Sequence, residues 1–304
     1  MNFDKIKNDI RKDFIPVYLK EITILKLYLD KLKLDSDISN AICIQMNYHN
    51  LEKCFLCYNT YNLFKNEKND IPKNIFIVCE MSTIPMIIFD DWVDKHEKRN
   101  DIQTLYGLCK EKYSENAAIF FGAINILNNY FIRRINSMKI DSEIKIQLIN
   151  ELLYAQNKTY IGGKKEIEIK KIENLDHLFD LYHNKAYHLF SYMPFAWGCI
   201  LSKNKFDNKN LKNISKYLNI LVQIRNDTKD YTYDINTKNV LSYYLIGKEK
   251  VTEIKKIVEL LKLKITKEIE KLNEDFPDKK YYISSYSSYI DYVTDNIFYN
   301  LSMM

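Results

Sequence analysis

The sequence predicts an all-α fold, and three observations support that prediction. Glycine and proline are scarce, at six and five residues in a chain of 304, so few of the residues that favour tight turns between short strands are present. Apolar residues recur at spacings of three and four along most of the chain, which is the period of an amphipathic helix. No Ser/Gly-rich linker or internal repeat divides the sequence. We therefore expect a single helical domain over residues 1–304.

The expected helices follow from this periodicity and from the signals at their ends. Pro16 should interrupt the first helix, whereas Pro72 fits the first turn of the third. Gly162 and Gly163 should end the sixth helix, and the charged residues 164–171 should then form a surface loop. In chain order, helices are expected at residues 4–34, 37–64, 71–95, 102–112, 114–138, 142–160, 174–202, 208–233, 238–247, 249–273 and 280–302.

Two segments, residues 84–89 and 117–127, are apolar around almost their whole circumference. Helices of this kind usually lie at the centre of a bundle. Pro85 should kink the helix that contains the first segment, and Pro194 and Gly198 should kink the helix to which they belong. Two kinked helices at the centre would open a cavity inside the bundle.

Two acidic clusters stand out, because each contains an i, i+4 pair that puts two oxygen ligands on one helix face. They consist of Asp90, Asp91 and Asp94 in the first case and of Asn226, Asp227, Asp230 and Asp234 in the second. If the two helices face each other, the carboxylates meet in one buried region, where uncompensated charge is very unfavourable. Mg²⁺ would neutralise it, because this ion binds one or two carboxylates and completes its shell with water and phosphate oxygens. The clusters therefore predict a metal-bound diphosphate site.

Charge and composition exclude several other classes of protein. The net charge is +5, and the Lys and Arg residues are scattered rather than clustered, so nucleic-acid binding is not expected. The N-terminus lacks a signal-peptide core, and the longest apolar runs are too short to span a membrane. The six cysteines follow no disulfide or zinc spacing, and His96 is expected at the surface. We expect a cytoplasmic protein without membrane insertion, whose mild positive charge suits an anionic substrate.

The residues around both clusters resemble the trans-isoprenyl diphosphate synthases. Residues 87–99, IIFDDWVDKHEKR, resemble the first aspartate-rich motif of that family, which is DDxxD followed five residues later by an arginine, here Arg99. Residues 222–230, VQIRNDTKD, resemble the second motif, FQxxDDxxD, with Gln223 three residues before the acidic pair. The resemblance extends from about residue 80 to residue 250. It implies the isoprenoid synthase fold, an all-α bundle with a central active-site cavity.

The resemblance also implies roles for individual residues. Three magnesium ions would be held by Asp90, Asp94, Asn226, Asp230 and Asp234, with Asp91 and Asp227 in support. The diphosphate of an allylic substrate would be bound by Arg99, Lys185, Gln223, Arg225 and Lys238. The aromatic residues expected to line the pocket for the carbocation are Phe89, Trp92, Phe121, Tyr160, Phe190, Phe195 and Trp197.

The chain departs from the family where the family binds isopentenyl diphosphate. Residues 30–60 contain no counterpart of the Gly-Gly-Lys-Arg motif. Asn100 replaces a second arginine, and Thr83 stands where the family often has His or Gln. These departures spare the motifs that bind the allylic diphosphate. Ionisation of an allylic diphosphate is therefore expected, and elongation with isopentenyl diphosphate is the less favoured outcome.

We expect a class I terpene synthase that ionises a C10–C20 allylic prenyl diphosphate and quenches or cyclises the carbocation. Asn226, Asp230 and Asp234 resemble the NDxxSxxxE motif of such enzymes, with Asp in the Ser and Glu places. One open alternative is a prenyltransferase, which moves the prenyl group to a peptide tryptophan, as in ComQ-like enzymes, or to isopentenyl diphosphate. Another is a non-catalytic partner subunit of a prenyl synthase, although such a subunit would be expected to lose the acidic clusters. The resemblance further implies a homodimer.

Overall fold

The computed structural model describes residues 3–46, 50–65, 71–99, 101–169, 172–229 and 250–303. Within these ranges the backbone is helical almost throughout. Its only strands are β1 (Lys98–Arg99) and β2 (Ile102–Gln103), which pair antiparallel as a small hairpin. The predicted all-α class is confirmed.

The helices of the described residues run in chain order and are joined by short connections. Those of the first part are α1 (Phe3–Lys31), α2 (Ser36–Met46), α3 (Glu52–Phe64), α4 (Asn74–Met81), α5 (Ile84–Val93), α6 (Leu105–Lys112), α7 (Ala117–Asn136) and α8 (Ser142–Glu168). Those of the second part are α9 (Leu175–Tyr182), a π-helix (His183–Tyr192), α10 (Met193–Leu201), α11 (Lys209–Lys229), α12 (Val251–Asp275), a 3₁₀ helix (Pro277–Lys279) and α13 (Lys280–Ser302). The helix expected at residues 238–247 lies outside the described residues.

The chain forms two compact units. The N-terminal unit comprises residues 9–58 and 67–154, and the C-terminal unit comprises residues 1–8, 59–66 and 155–304. Within the N-terminal unit, α5 packs against α6 and α7; within the C-terminal unit, α11 packs against the π-helix, α12 and α13. The first acidic cluster thus belongs to the N-terminal unit and the second to the C-terminal unit. A single domain over the whole chain stays a prediction.

Pro16 lies inside α1 and does not end it. The buried stripe of the helix, which includes Phe14, Tyr18 and Leu25, continues on both sides of the proline. Proline removes one backbone hydrogen bond, but tertiary packing of an apolar face supplies most of the stability of a helix in a protein. The predicted break at Pro16 is therefore wrong.

The second expected helix is two helices, α2 and α3. Leu51, just before α3, has a φ of 61°, which a continuing helix does not allow. Glu80 then caps α3: its Oε2 accepts hydrogen bonds from the N–H groups of Lys53 at 2.7 Å and Cys54 at 2.9 Å. A carboxylate at this end satisfies otherwise unpaired N–H groups and complements the helix dipole.

The helix expected at residues 71–95 is likewise divided, by Ser82 and Thr83, into α4 and α5. Pro85 lies in the first turn of α5, where its missing N–H has no partner to lose. The predicted distortion at Pro85 is confirmed, and it sets the direction of the helix that carries the first acidic cluster.

Gly162 and Gly163 do not end α8, which continues to Glu168. A Cβ at position 162 would lie 2.0 Å from the carbonyl oxygen of Asn184. The glycine therefore lets α8 approach the π-helix backbone more closely than any other residue would. The expected surface loop after residue 163 is helix instead, and this correction brings Glu166 into the functional region described below.

The helix expected at residues 174–202 contains a ten-residue π-helix in its middle. The N–H of Met193 donates to the carbonyl of His188, a π-type spacing, and Pro194 falls in the first turn of α10. Because proline has no N–H to donate, a change of helix type before it avoids a broken hydrogen-bond ladder. The expected distortion near Pro194 is thus a π-helix, a form that is frequent at functional sites.

No helix within the described ranges combines the length and the apolar character needed to cross a membrane.

Candidate active site

The first acidic cluster closes α5. Asp90 and Asp91 occupy its last turn, and Asp94 caps it, with its N–H donating to the Asp90 carbonyl at 2.8 Å. The C-terminal end of a helix carries partial negative charge, so aspartates at this position are unfavourable without a nearby cation. The local sequence therefore requires a positive partner.

Arg99 supplies that positive charge. Its Nε donates to Asp91 Oδ1, and its Nη2 lies 3.1 Å from Asp90 Oδ2. The Gln45 amide donates to Asp91 Oδ2 at 2.8 Å, and His96 Nδ1 lies 3.8 Å from Asp91 Oδ1. Asp91 is wholly buried, and this burial raises its pKa to about 7 against the lowering influence of Arg99 and Gln45. Asp91 is thus the buried anchor of the cluster.

Asp90 is placed differently from Asp91. Its side chain is 43% exposed and that of Arg99 is 32% exposed, whereas Asp91 is fully covered. Asp94 is half-buried. A ligand can therefore reach the Asp90 carboxylate and the Arg99 guanidinium, while Asp91 holds both from beneath.

The β1–β2 hairpin returns Arg99 to α5. Lys95 turns the chain with a φ of 55°, and the His96 N–H donates to the Asp91 carbonyl at 2.9 Å. The Thr104 hydroxyl then donates to the His96 carbonyl at 2.5 Å and accepts from the Gly107 N–H at 3.0 Å as the cap of α6. The loop is thereby fixed at both ends, which holds the guanidinium in place.

An aromatic cluster adjoins the acidic one on the same helix. The ring of Trp92 lies 6.5 Å from that of Phe89, 6.3 Å from that of Phe120 and 5.7 Å from that of Phe121. Three of the predicted pocket residues therefore meet in the N-terminal unit. Phe121 forms the solvent edge of this group, since half of its surface is exposed.

The second acidic cluster lies on α11. Asn226 is exposed, Arg225 and Asp227 are half-buried, and Gln223 is buried. The Tyr182 hydroxyl at the end of α9 donates to Asp227 Oδ2. This cluster, like the first, thus has an anchored acidic residue beside an accessible oxygen ligand.

Lys185 lies on the π-helix and pairs with Glu166 of α8. Its Nζ is 2.7 Å from Glu166 Oε1, and the two side chains are only 16% and 14% exposed. The predicted diphosphate-binding lysine is therefore held by a carboxylate of the same unit.

The four predicted pocket residues of the C-terminal unit are buried to different degrees. Phe195 and Trp197 are fully buried, and Phe195 stacks on Tyr286 with ring centres 5.7 Å apart. Tyr160 and Phe190 are half-buried. Phe195 therefore has the surroundings of a core residue, and its assignment to a pocket stays a prediction.

Several predicted site residues, namely Asp230, Asp234 and Lys238, lie outside the described residues. Over the described ranges, no group of three His, Cys, Asp or Glu side chains could hold a metal ion by itself. Mg²⁺ needs only one or two carboxylates when water and phosphate complete its shell, so the carboxylates of Asp90 and Asp94 suit it chemically. The prediction that the two clusters face each other stays a prediction.

Sequence reasoning missed four residues that contact predicted site residues: Gln45, His96, Tyr182 and Glu166. His96 was expected at the surface, but it is half-buried beside Asp91. Its proximity to the cluster in sequence was a usable signal. Nothing in the local sequence marks Gln45 or Tyr182.

Residues 53–261 match the family model of polyprenyl synthetases, which covers both acidic clusters and the π-helix between them. The chain belongs to the polyprenyl synthetase family. Membership supports an enzyme that acts on prenyl diphosphates. No curated protein matches the sequence of this family member significantly.

Solved structures confirm the isoprenoid synthase fold of this polyprenyl synthetase. A geranyltransferase from Helicobacter pylori has 18% sequence identity and a TM-score of 0.68, with 93% of this chain and 98% of that chain covered. The same enzyme complexed with magnesium and isoprenyl diphosphate gives 17% and 0.64, with 89% and 95% covered. A farnesyl diphosphate synthase from T. brucei, complexed with minodronate, gives 11% and 0.69, with 90% and 97% covered. Identities this low establish the fold alone.

Proposed function

We propose that this protein is a Mg²⁺-dependent class I terpene synthase that ionises a C10–C20 allylic prenyl diphosphate and quenches or cyclises the carbocation. The observation that carries the proposal is the Arg99 guanidinium, which bridges the accessible Asp90 and the buried Asp91. This arrangement offers a carboxylate for a metal ion and a cation for an oxyanion within one motif of the polyprenyl synthetase family.

The donors present suit magnesium. Asp90 and Asp94 would hold it in the N-terminal unit, and Asn226 would do so in the C-terminal unit. Hard oxygen ligands of this kind are what Mg²⁺ prefers, and the related H. pylori enzyme was crystallised with magnesium and isoprenyl diphosphate. When bound, Mg²⁺ would neutralise the diphosphate and so improve it as a leaving group.

The chemistry follows from the charges of the chain's own residues. The carbon–oxygen bond of the allylic diphosphate breaks, and its electron pair leaves with the diphosphate. Arg99 and Lys185 stabilise the negative charge that develops there. The carbocation then loses a proton, directly or after attack by an internal double bond, and yields a hydrocarbon. Phe89 and Trp92 offer apolar ring faces next to Asp90 for this cation.

Transfer of the prenyl group to an acceptor is the second candidate. The description of the family and the names of its structural relatives, a geranyltransferase and a farnesyl diphosphate synthase, favour it. The lack of a Gly-Gly-Lys-Arg sequence and the residues Thr83 and Asn100 favour the terpene synthase instead. A homodimer and a cytoplasmic location stay predictions.

A product analysis separates the two candidates. The protein is incubated with C10, C15 and C20 allylic diphosphates, with and without isopentenyl diphosphate, in the presence of Mg²⁺ or of a chelator. We expect Mg²⁺-dependent release of diphosphate together with a volatile hydrocarbon. A longer prenyl diphosphate that appears only with isopentenyl diphosphate would establish elongation and exclude the terpene synthase.

The site itself is tested with Asp90→Ala. We expect a loss of diphosphate release of at least about a hundredfold, because the variant removes an oxygen ligand for the metal that stabilises the leaving group. Asp30→Ala, at an exposed position of α1 in the same unit, is the matched control and should retain full activity. Circular dichroism should show unchanged helicity in both variants. Full activity of Asp90→Ala would exclude this site assignment.

A further inference from the structure

Tyr182 is a fully buried tyrosine whose hydroxyl and carbonyl both bond to α11. Its hydroxyl donates to Asp227 Oδ2, and its carbonyl accepts a hydrogen bond of 3.1 Å from the Asn219 amide. A buried tyrosine hydroxyl requires a partner, and a charged acceptor gives the stronger bond. The end of α9 is therefore fixed to α11 at two points.

The bond to Asp227 sets which residues of the second cluster are accessible. Asp227 is held by Tyr182, while Asn226 beside it is exposed. Loss of the hydroxyl would free the Asp227 side chain and, with it, the orientation of the last described turn of α11. The position of Asn226 as a ligand thus depends on a residue that would not itself contact the metal ion.

The first cluster shows the same arrangement. Asp91 is buried and held by Gln45 and Arg99, while Asp90 before it is accessible. In both clusters the second residue of the pair is anchored and the first remains available to a ligand. Two clusters in two separate units thus share one arrangement, which argues that the anchoring serves ligand binding.

We propose that Tyr182 is a positioning residue for metal binding by the second acidic cluster. It rests on the proposed function, since it takes Asn226 as a ligand of Mg²⁺. Tyr182 acts through Asp227, and it also precedes Lys185 by three residues, so the same junction orients a predicted diphosphate contact.

The test compares Tyr182→Phe with Tyr187→Phe. The hydroxyl of Tyr187 is also buried and also bonds to α11, at 3.2 Å from the Ser215 hydroxyl, but it does not contact the acidic cluster. Both variants lose a buried hydroxyl, so a purely structural role would affect them alike. Removal of a hydrogen bond to a charged group weakens binding by about tenfold.

We expect the Mg²⁺ concentration at half-maximal diphosphate release to rise by about tenfold in Tyr182→Phe, with kcat at saturating Mg²⁺ close to the unsubstituted value. Tyr187→Phe should leave that concentration unchanged. Asn219→Ala, which loosens Tyr182 but keeps its hydroxyl, should raise it by about threefold. This variant carries the test if Tyr182→Phe does not fold.

An unchanged Mg²⁺ dependence in Tyr182→Phe or Asn219→Ala, with an active unsubstituted enzyme, overturns the proposal and leaves the proposed function standing. An inactive unsubstituted protein overturns the proposed function instead. Calorimetric titration with Mg²⁺ and inorganic diphosphate then decides the role of Tyr182. Weaker binding in Tyr182→Phe alone supports the positioning role, and equal binding in both tyrosine variants excludes it.

Discussion

The two acidic clusters anchor their second aspartate in different ways. Asp91 is wholly buried and depends on a cation, the guanidinium of Arg99, together with the Gln45 amide. Asp227 is half-buried and is held by a neutral donor, the Tyr182 hydroxyl. A buried carboxylate needs charge compensation, whereas a more exposed one needs only orientation. The difference teaches that the first cluster is balanced internally before any metal binds.

The positive residues of the two units are held differently as well. Arg99 is shared between two aspartates and remains partly exposed. Lys185 is nearly buried against a single carboxylate, that of Glu166, in the C-terminal unit. We therefore expect substitutions around Arg99 to act mainly on stability and substitutions around Lys185 to act mainly on anion binding.

The largest effect is expected for Arg99→Ala. Its loss leaves the buried Asp91 carboxylate without its cation, which should lower the free energy of unfolding by about 3 kcal/mol at pH 8. The loss should be smaller at pH 5, because Asp91 then takes up a proton and no longer needs the cation. Urea denaturation at both pH values, without Mg²⁺, measures the two effects.

Lys98→Ala is the control, since Lys98 is the exposed neighbour of Arg99 on β1. It should change the free energy of unfolding by less than about 0.5 kcal/mol. Equal stability of Arg99→Ala and Lys98→Ala would mean that Asp91 is compensated without Arg99, and the contrast between the two clusters would then be lost.

A smaller effect is expected from pH alone. Asp91 has a higher pKa in the folded chain, about 7, than the value of about 3.9 expected when unfolded. It therefore binds its proton more tightly when folded. Its contribution to stability is complete below the unfolded pKa and is lost as the pH rises through the folded one. The free energy of unfolding should fall by roughly 2 kcal/mol from this group between pH 5 and pH 7.

Asp91→Asn isolates that contribution, because asparagine stays neutral at every pH. Subtracting its stability curve from that of the unsubstituted protein removes the contributions of other groups. Among these are His183 and His188, whose pKa values burial lowers and which give a slope of opposite sign. Parallel curves for the two proteins in Mg²⁺-free buffer would show that Asp91 titrates in the same range folded and unfolded.

The fold class and the position of the first cluster could be predicted because they depend on local sequence. Apolar spacing indicates helices directly, and Pro85 marks the start of α5 through its own stereochemistry. The contacts that complete the clusters depend on packing between distant segments. Gln45 and Asp91 are 46 residues apart in sequence, and Tyr182 and Asp227 are 45 apart. No local pattern specifies such pairs.

Gly162 shows how one residue supports two opposite interpretations. From sequence it predicts a helix end, since glycine commonly follows the last turn. In the structure it lies inside α8 and allows contact with the backbone of Asn184. Only the approach of a second helix distinguishes these cases, so the position of Glu166 beside Lys185 could not be inferred from the sequence.

The smallest effect is expected for Glu166→Gln, which tests the role of that pair. In the unsubstituted protein, an anion that binds Lys185 must replace the Glu166 carboxylate, from which the ammonium is 2.7 Å distant. Glutamine keeps a hydrogen-bond acceptor but removes the competing charge. We expect inorganic diphosphate to bind about tenfold more tightly, a difference of about 1.4 kcal/mol, by calorimetric titration with Mg²⁺ present.

Glu168→Gln is the matched control on the same helix. Glu168 is 61% exposed and lies 3.4 Å from Lys164, and an exposed pair of this kind contributes little. It should leave diphosphate affinity unchanged. Weaker binding in Glu166→Gln would mean that Glu166 orients Lys185 for the substrate rather than competing with it. The lysine would then be anchored for ligand binding in the same way as the aspartates of both clusters.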